Sequence, residues 1–408
     1  MGIEASSAVT IPAKELHLRV AWLCGAVLFL EGYDIAAVGY AIPHLVDAWH
    51  VHPAVFTQAL TSGNVGLLLG SLCAGLLGDR LGRKPVRIAC VAVFGAFSLM
   101  SALVGSPSQL AALRFMTGLG LGGGIPLAIA LTSDFAPLVR PGRFLILMNV
   151  GVATGFAVGG LLASQLVRGF GWPAIFITGG ALPLAMVPVL AAWLPESAAI
   201  SSATRQRHLV TALFQTGLAS TTLLLWAINL LNLLDIYFIL QWTPALLHST
   251  GVSSSRAILV TSTYGFGLIL GSVLMASIVD RFGIERVLTW CLAFGALCVL
   301  SIGLFNPRFW LLSLIVCGAG IGAGSQAGIN SLSGIAYVPA IRSTGAGWAL
   351  GVGRIGTITG PLLGGLLLVL GLSSQNLFIV AAIPAIIAAL SMATLGRLRR
   401  GRDSRETL

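Results

Sequence analysis

Two carboxylates, Glu31 and Asp34, stand three residues apart inside an apolar stretch running from about Val20 to Ile42. A helix places residues at that spacing on one face, and about 20 apolar residues are what a helix needs to cross the hydrocarbon core of a bilayer. An ionisable side chain at that depth costs roughly 2.5 to 3.5 kcal/mol on insertion scales, so it normally faces a partner or a wet cavity. A close pair of buried acids is suited to taking up and releasing a proton. The bland alternative is a fixed ion pair with an arginine. Two cations interrupt other apolar stretches. Arg114 lies beside the glycine row from Gly118 to Gly124, and Arg354 lies about eleven residues into the stretch 343–370, flanked by glycines. A guanidinium grips a carboxylate bidentately and stays charged. Arg354 is therefore the leading residue to hold an anionic ligand, with a structural pair to Asp235 or Glu31 as the alternative. Asn229, Asn232 and Asp235 follow at three-residue steps in a further apolar stretch that also carries Tyr237, Gln241 and Trp242. They form a polar stripe able to hydrogen-bond a ligand hydroxyl, although Tyr237 and Trp242 would equally suit an aromatic belt at the membrane boundary. The face bearing Glu31 and Asp34 is expected to line a water-accessible path.

The elements that must position these residues follow from composition. The chain has 408 residues, 56% hydrophobic and only 9% charged, too apolar for a soluble globular protein. Its apolar runs are long and continuous, unlike the short alternating segments of a membrane barrel. Twelve helical spans are expected near 20–42, 54–77, 86–105, 109–132, 143–167, 172–194, 217–247, 256–279, 286–305, 309–333, 343–370 and 374–396. No signal-peptide pattern precedes the first, which is expected to be retained. Both termini then share one side. Lys14, Arg19, Arg80, Arg83, Lys84, Arg87, Arg140, Arg143, Arg205, Arg207, Arg281, Arg286, Arg342 and the cluster Arg397, Arg399, Arg400, Arg402 and Arg405 all fall on it, against Arg168, Arg256 and Arg308 opposite, a bias of roughly six to one. The positive-inside rule puts both termini in the cytoplasm and accounts for the net charge of +10 without any nucleic-acid partner. The basic tail can touch anionic lipid. The six cysteines all fall within spans, with no CxxC or Cys/His cluster, and read as packing residues with no metal.

The polar stretch from Pro195 to about Gln215 divides the chain. The expected organisation is a cytoplasmic segment 1–19, a six-helix bundle 20–194, a linker 195–216, a second six-helix bundle 217–396 and a basic tail 397–408. The halves share punctuation. Asp79-Arg80-Leu81-Gly82 aligns with Asp280-Arg281-Phe282-Gly283, Gly118/Gly120/Gly122 with Gly318/Gly320/Gly322, and Gly159-Gly160 with Gly364-Gly365. A tandem repeat of six spans implies two bundles related by an axis along the membrane normal, with the path between them.

Gly78-Asp79-Arg80-Leu81-Gly82-Arg83-Lys84, between the second and third of twelve spans, resembles the loop motif of the major facilitator superfamily. Glu31-Gly32-Tyr33-Asp34 resembles the acid-Gly-x-Asp signature of its aromatic acid/proton symporter branch. Further branch-like features are Arg114-x-x-x-Gly118, Trp242-x-Pro244, Leu194-Pro195-Glu196-Ser197 and Gly353-Arg354-x-Gly356. Two residues depart from the pattern: the first acid is often Asp and here is Glu31, and Asp235 stands where an uncharged Asn is expected. The resemblance implies that Arg114 meets helix one and holds or releases Asp34 as protonation changes. It also implies that Asp79, Arg80, Arg83 and Lys84, with Asp280 and Arg281, form a cytoplasmic latch between the bundles. Tyr33 and Trp348 become residues to stack on an aromatic substrate, although single aromatics in membrane helices more often simply pack. The run Gly118-x-Gly120-x-x-Gly123 matches a dinucleotide fingerprint only by accident, since no strand precedes it. His44, His50 and His52 beside Asp47 read as solvated loop residues of the first outer connection, with a pH sensor as the sharper alternative.

The expected protein is an all-α polytopic transporter of the cell (inner) membrane, importing an aromatic carboxylate with protons by alternating access as a monomer without cofactor. Its proton-coupling residues are Glu31, Asp34, Arg114 and Asp235. Its substrate residues are Arg354, Tyr33, Asn232, Asp235, Tyr237, Gln241 and Trp348. The competitors are a proton-driven exporter of hydrophobic compounds, an importer of a non-aromatic acid, and a membrane-embedded enzyme or sensor. The exporter is disfavoured because helix five has glycines without the proline common in exporters. The enzyme or sensor lacks any nucleophile with a base or a soluble output domain.

Overall fold

The computed structural model describes residues 13–135, 141–196, 210–214, 218–305, 308–338 and 341–406. Its helices are α1 (Ala13–Trp49), α2 (Thr57–Leu81), α3 (Arg83–Met100), α4 (Pro107–Gly122), α5 (Gly124–Phe135), α6 (Pro141–Phe170), α7 (Pro173–Trp193), α8 (Ala219–Ser249), α9 (Ser254–Phe282), α10 (Ile284–Leu304), α11 (Phe309–Ala323), α12 (Gln326–Ile335), α13 (Arg342–Val369) and α14 (Ser374–Glu406). They make 12 apolar crossings of membrane length, because α4 with α5 and α11 with α12 each form one interrupted crossing. The sequence reading expects both crossings to be continuous. Glycines supply the interruptions, at Gly123 and at Gly324-Ser325, and each places the first residue of the following helix against α1 or α8.

Several boundaries differ from expectation. α1 continues to Trp49, so His44 and Asp47 belong to a helix and not to a loop. α14 continues to Glu406, and the ion pair from Arg399 to Glu285 at 2.8 Å ties this extension to α10. Part of the expected linker and the N-terminal segment lie outside the described residues. Val210–Phe214 forms a short 3-10 turn.

Close approach of small residues sets the packing. A Cβ on Gly155 would strike the Phe29 carbonyl of α1, and one on Gly356 would strike the Leu230 carbonyl of α8. These two contacts are equivalent, displaced by the same interval as Asp79 and Asp280. Gly159 likewise meets Tyr33 as Gly360 meets Leu234. The pairing of Gly159-Gly160 with Gly364-Gly365 is therefore one helical turn out. Gly118 on the Gly63 carbonyl matches Gly320 on the Tyr264 carbonyl, so the second glycine row is also aligned two residues off. A small residue every second or fourth position survives such a slip, and only contacts fix the register.

The apolar core divides unevenly. Away from the termini, a single buried cluster joins both halves, with Tyr40, Leu45 and Phe56 from one and Trp242, Ile258 and Tyr264 from the other. Toward the termini there are two separate cores, one around Val20, Leu28 and Phe94 and another around Leu225, Leu288 and Leu395. The crossings between bundles are α1 with α8, α2 with α13 and α6 with α9. Helices α5 and α12, at the terminal end, pack on helices of their own bundle. The bundles are thus sealed at the far end and parted at the terminal end.

Candidate functional site

Glu31 and Asp34 are fully buried on α1, and each has its own arginine. The Arg87 Nη1 lies 2.9 Å from Glu31 Oε1, and the Arg114 Nη1 donates to Asp34 Oδ2 at 3.0 Å. Arg87 corrects the sequence reading, which counts it among the loop charges that set orientation. It sits one turn inside α3, is 1% exposed and reaches across to α1. None of its guanidinium nitrogens meets a fully aligned acceptor, so the pair with Glu31 is an ionic contact without a well-directed hydrogen bond. The Glu31 carboxylate rests on Gly124, where any side chain would collide with it.

The Asp34 pair is more fully satisfied. Ser98 of α3 donates to Asp34 Oδ1. Arg114 Nη2 donates to Thr117 Oγ1 at 2.9 Å and to Ser101 Oγ at 3.3 Å, and its guanidinium lies over the Phe176 ring at 5.3 Å in cation-π range. Beside this pair is a cavity of about 30 Å³ bordered by Asp34, Asn64, Arg114 and Gln241, room for about one water. Asn64 closes it from α2, donating to the Thr357 carbonyl of α13 at 2.7 Å and to Gln241 Oε1 at 3.4 Å. Gln241 and Asn64 therefore join the two bundles at the inner edge of the sealed half.

The second bundle contributes Arg354 from α13. Its guanidinium lies within electrostatic reach of the buried Tyr237 hydroxyl and of the Glu31 carboxylate on α1. Arg354 is half-buried, unlike Arg87 and Arg114. Asn232 Nδ2 donates to Gln326 Oε1 at 2.7 Å. Asp235 is buried, and its Oδ1 has no hydrogen-bond partner. The Tyr264 hydroxyl, similarly unpartnered, belongs to the same neighbourhood.

The structure moves two expected substrate residues away from this place. Tyr33 points into its own bundle, its hydroxyl donating to the Ile175 carbonyl at 2.9 Å and its ring wedged against Gly159 and Gly179. Glycine gaps on two neighbouring helices receive the ring, so in this conformation it packs inside its own bundle. Trp348 stacks on Trp226 at 5.7 Å near the terminal ends of α13 and α8. Trp242 is neither belt nor site: it is fully buried, and its Nε1 donates to the Pro361 carbonyl at 3.0 Å.

Among the described residues, the contacts shown for Arg83, Lys84 and Arg281 lie within their own bundles. Asp79, Arg80, Asp280 and Arg281 are exposed. Arg83 donates to the Ala130 carbonyl within its own bundle at 3.2 Å, Lys84 N donates to Glu196 Oε1 at 3.4 Å, and Arg281 lies over Phe282. At the far end the His248 Nε2 and Asp47 Oδ1 are 3.0 Å apart and bridge α8 to α1.

Sequence reasoning overlooks Arg87, Ser98, Asn64, Gln326 and Asn330. A four-residue spacing of amides, Gln326 and Asn330, inside an apolar crossing is the signal available for the last two.

The family model described as Major Facilitator Superfamily matches residues 24–244 and 225–407. The gallate transporter of Pseudomonas putida is 33% identical, over 92% of this chain and 91% of that one. The 3-(3-hydroxy-phenyl)propionate transporter of Escherichia coli K12 is 35% identical, over 91% and 92%. Among solved structures, a bacterial homologue of the human lysosomal transporter Spinster, inward-facing and unoccupied, superposes with a TM-score of 0.76 at 16% identity, covering 94% of this chain and 98% of that one.

Proposed function

Because the chain belongs to the major facilitator superfamily and is a transporter, not an enzyme, we propose that it imports an aromatic carboxylate together with protons across the cell's inner membrane, acting as a monomer. The observation that carries this reading is the placement of Arg354. It is a half-buried cation between the bundles, facing one of two buried acids that each already have an arginine of their own. The names of the similar proteins supply the substrate class, an aromatic organic acid.

The bias of basic residues to the terminal end supports a cytoplasmic position for that end. The conformation is then closed to the outside and open to the cytoplasm. In the opposite state, Asp79, Arg80, Arg83 and Lys84, with Asp280 and Arg281, are the charges that would hold the cytoplasmic end shut.

A cycle follows from the charges. Bringing a monoanion into a negative cell opposes about 2.3 kcal/mol per 100 mV, and one proton carried along cancels that charge. From the outside, a proton reaches Asp34 by way of the water-sized cavity. Neutral Asp34 no longer holds Arg114, which loosens the contact between α1 and α4. The substrate carboxylate takes the Arg354 guanidinium. The bundles then rock about the bound pair, and the far end closes. Once the cytoplasmic end is open, Asp34 gives up its proton and pairs with Arg114 again, which is the arrangement seen here. Among the described residues Asp235 has no ion pair, so in this cycle it serves on the substrate side or as a second proton site and does not replace Asp34.

The test is accumulation of labelled 4-hydroxybenzoate in proteoliposomes with an imposed pH gradient. Uptake above equilibrium that a protonophore abolishes supports the reading. Uptake indifferent to the gradient removes proton coupling, and uptake only of aliphatic acids removes the aromatic class.

A further inference from the structure

Beneath Arg354 the second bundle holds a cluster of amides. Gln326, the first residue of α12, accepts from Asn232 at 2.7 Å through Oε1, and through Nε2 donates to Asn229 Oδ1 at 3.1 Å and to Asn330 Oδ1 at 2.8 Å. Asn229 in turn donates to the Leu225 carbonyl at 3.0 Å and to Ser333 Oγ at 3.3 Å. Asn229 and Asn232 are buried, whereas Gln326 and Asn330 are half-buried where α8 and α12 border the gap between the two separate cores. The Asn330 amide nitrogen and the Asn232 carbonyl oxygen have no protein partner among the described residues.

A helix crossing has no structural need for four amides. One polar bond between helices is worth about 0.6 kcal/mol on average in a membrane, and apolar packing would do as well. Gln326 links Asn232 to Asn330, so one network carries both a free acceptor and a free donor, and a hydroxyl group can both donate and accept. The helix that carries Arg354 packs on this cluster, since Gly353 lies against Asn229. The first bundle has no such reader in the equivalent place, because Gly124 stands where Gln326 stands and presses against Glu31.

We propose that Gln326 and Asn330, with Asn232, read the hydroxyl groups on the substrate ring, so that the carrier selects hydroxylated aromatic acids over the unsubstituted acid. The assignment rests on the aromatic-carboxylate reading above. A polar site built to meet a hydroxyl discriminates against the ligand that lacks it, because the site's own groups then lose water without replacement. The amides can close partly on one another, which limits the effect to about tenfold.

The experiment is counterflow of labelled benzoate by the full chain in proteoliposomes, with benzoate, 4-hydroxybenzoate and 3,4-dihydroxybenzoate as competitors. In the wild-type protein the dihydroxy acid should compete about tenfold more strongly than benzoate. In Gln326→Met and in Asn330→Leu the ratio should fall to about twofold, through weaker binding of the hydroxylated acids with benzoate unchanged. An unchanged ratio in both variants overturns the assignment. So does the absence of any hydroxyl preference in the wild type, or an equal loss of all three acids in variants whose melting temperatures match the wild type. If labelled benzoate and 4-hydroxybenzoate both fail to exchange in the wild type, the aromatic-carboxylate function itself fails and this assignment falls with it.

Discussion

Glu31 and Asp34 on α1 occupy the same places as Asn232 and Asp235 on α8, yet the two surroundings are chemically opposite. The register set by the glycine contacts puts Leu288 where Arg87 stands, Val299 where Ser98 stands and Val316 where Arg114 stands. Leu288, Val299 and Val316 are all fully buried. Every group that pairs with the acids of the first bundle is thus aliphatic in the second. That explains why the Asp235 Oδ1 lacks a partner: the positions that could supply one carry no polar atom. The second bundle instead has Arg354 where the first has Ala153, and Gln326 where the first has Gly124. A duplicated scaffold has been divided by charge. One half holds acids matched to their own arginines. The other holds a half-buried arginine and amides without a paired acid; under the proposed function, the first half would carry the proton and the second the ligand.

The harshest way to break this comparison is to remove the acid on the charged side. Asp34→Asn should reduce gradient-driven accumulation by about a hundredfold, since without an ionisable group at that place there is no proton to carry, while exchange of labelled substrate across the membrane persists. Full accumulation in this variant would mean that the first bundle is not the coupling half.

Stability offers the second test. Arg87→Leu copies the second bundle's residue but leaves Glu31 buried without its cation, a loss of about 3 to 5 kcal/mol read as a lowered melting temperature in detergent. Adding Glu31→Asn, which copies Asn232, should recover most of that loss. If the double variant is as unstable as Arg87→Leu alone, the pair at 2.9 Å is not what the arginine is for.

The reverse substitution sharpens the comparison from the other side. Val299→Ser gives Asp235 the equivalent of the Ser98 hydroxyl, and a satisfied hydrogen bond there should raise stability by about 1 kcal/mol. Asp235→Asn should alter KM for hydroxylated acids and leave the proton-to-substrate ratio unchanged. A changed ratio would place a second coupling acid in the ligand-facing half.

How much of this could be read without coordinates depends on what the bilayer forbids. Twelve crossings and the one-sided placement of basic residues are legible because hydrocarbon tolerates neither short apolar runs nor stray charge. Glu31, Asp34, Arg114 and Arg354 are legible for the same reason: a charge in a crossing is costly enough to need an explanation. Arg87 escapes notice because it follows Arg83 and Lys84 by a single turn and so resembles one more boundary cation. Gln326 and Asn330 escape because an amide is a much weaker anomaly than a charge. Tyr33 misleads through its neighbours, since it lies between two buried acids on a helix but points to a different side. The register of the repeat is hidden because its glycines recur at intervals that a shifted alignment reproduces.

The smallest expected effect lies at the far end, where both halves share one core. Asp47 and His248 join α1 to α8 there at 3.0 Å, with the Asp47 side chain 58% exposed and the His248 side chain 25% exposed. A pair so wet contributes about 0.2 to 1 kcal/mol, against the continuous apolar cluster of Tyr40, Leu45, Phe56, Trp242 and Ile258 behind it. Asp47→Asn should therefore shift the balance between the two open states by no more than about fivefold, measured as labelling of a cysteine placed at Ala245 by a thiol reagent added from outside. Replacing the apolar contact instead, with Phe56→Ala, removes a fully buried ring and should move the same balance much further, by about 3 kcal/mol or more. If Asp47→Asn opens the far end as widely as Phe56→Ala does, the seal is electrostatic, and the far end would follow the same charge logic as the acids of the first bundle instead of serving as the neutral hinge between unlike halves.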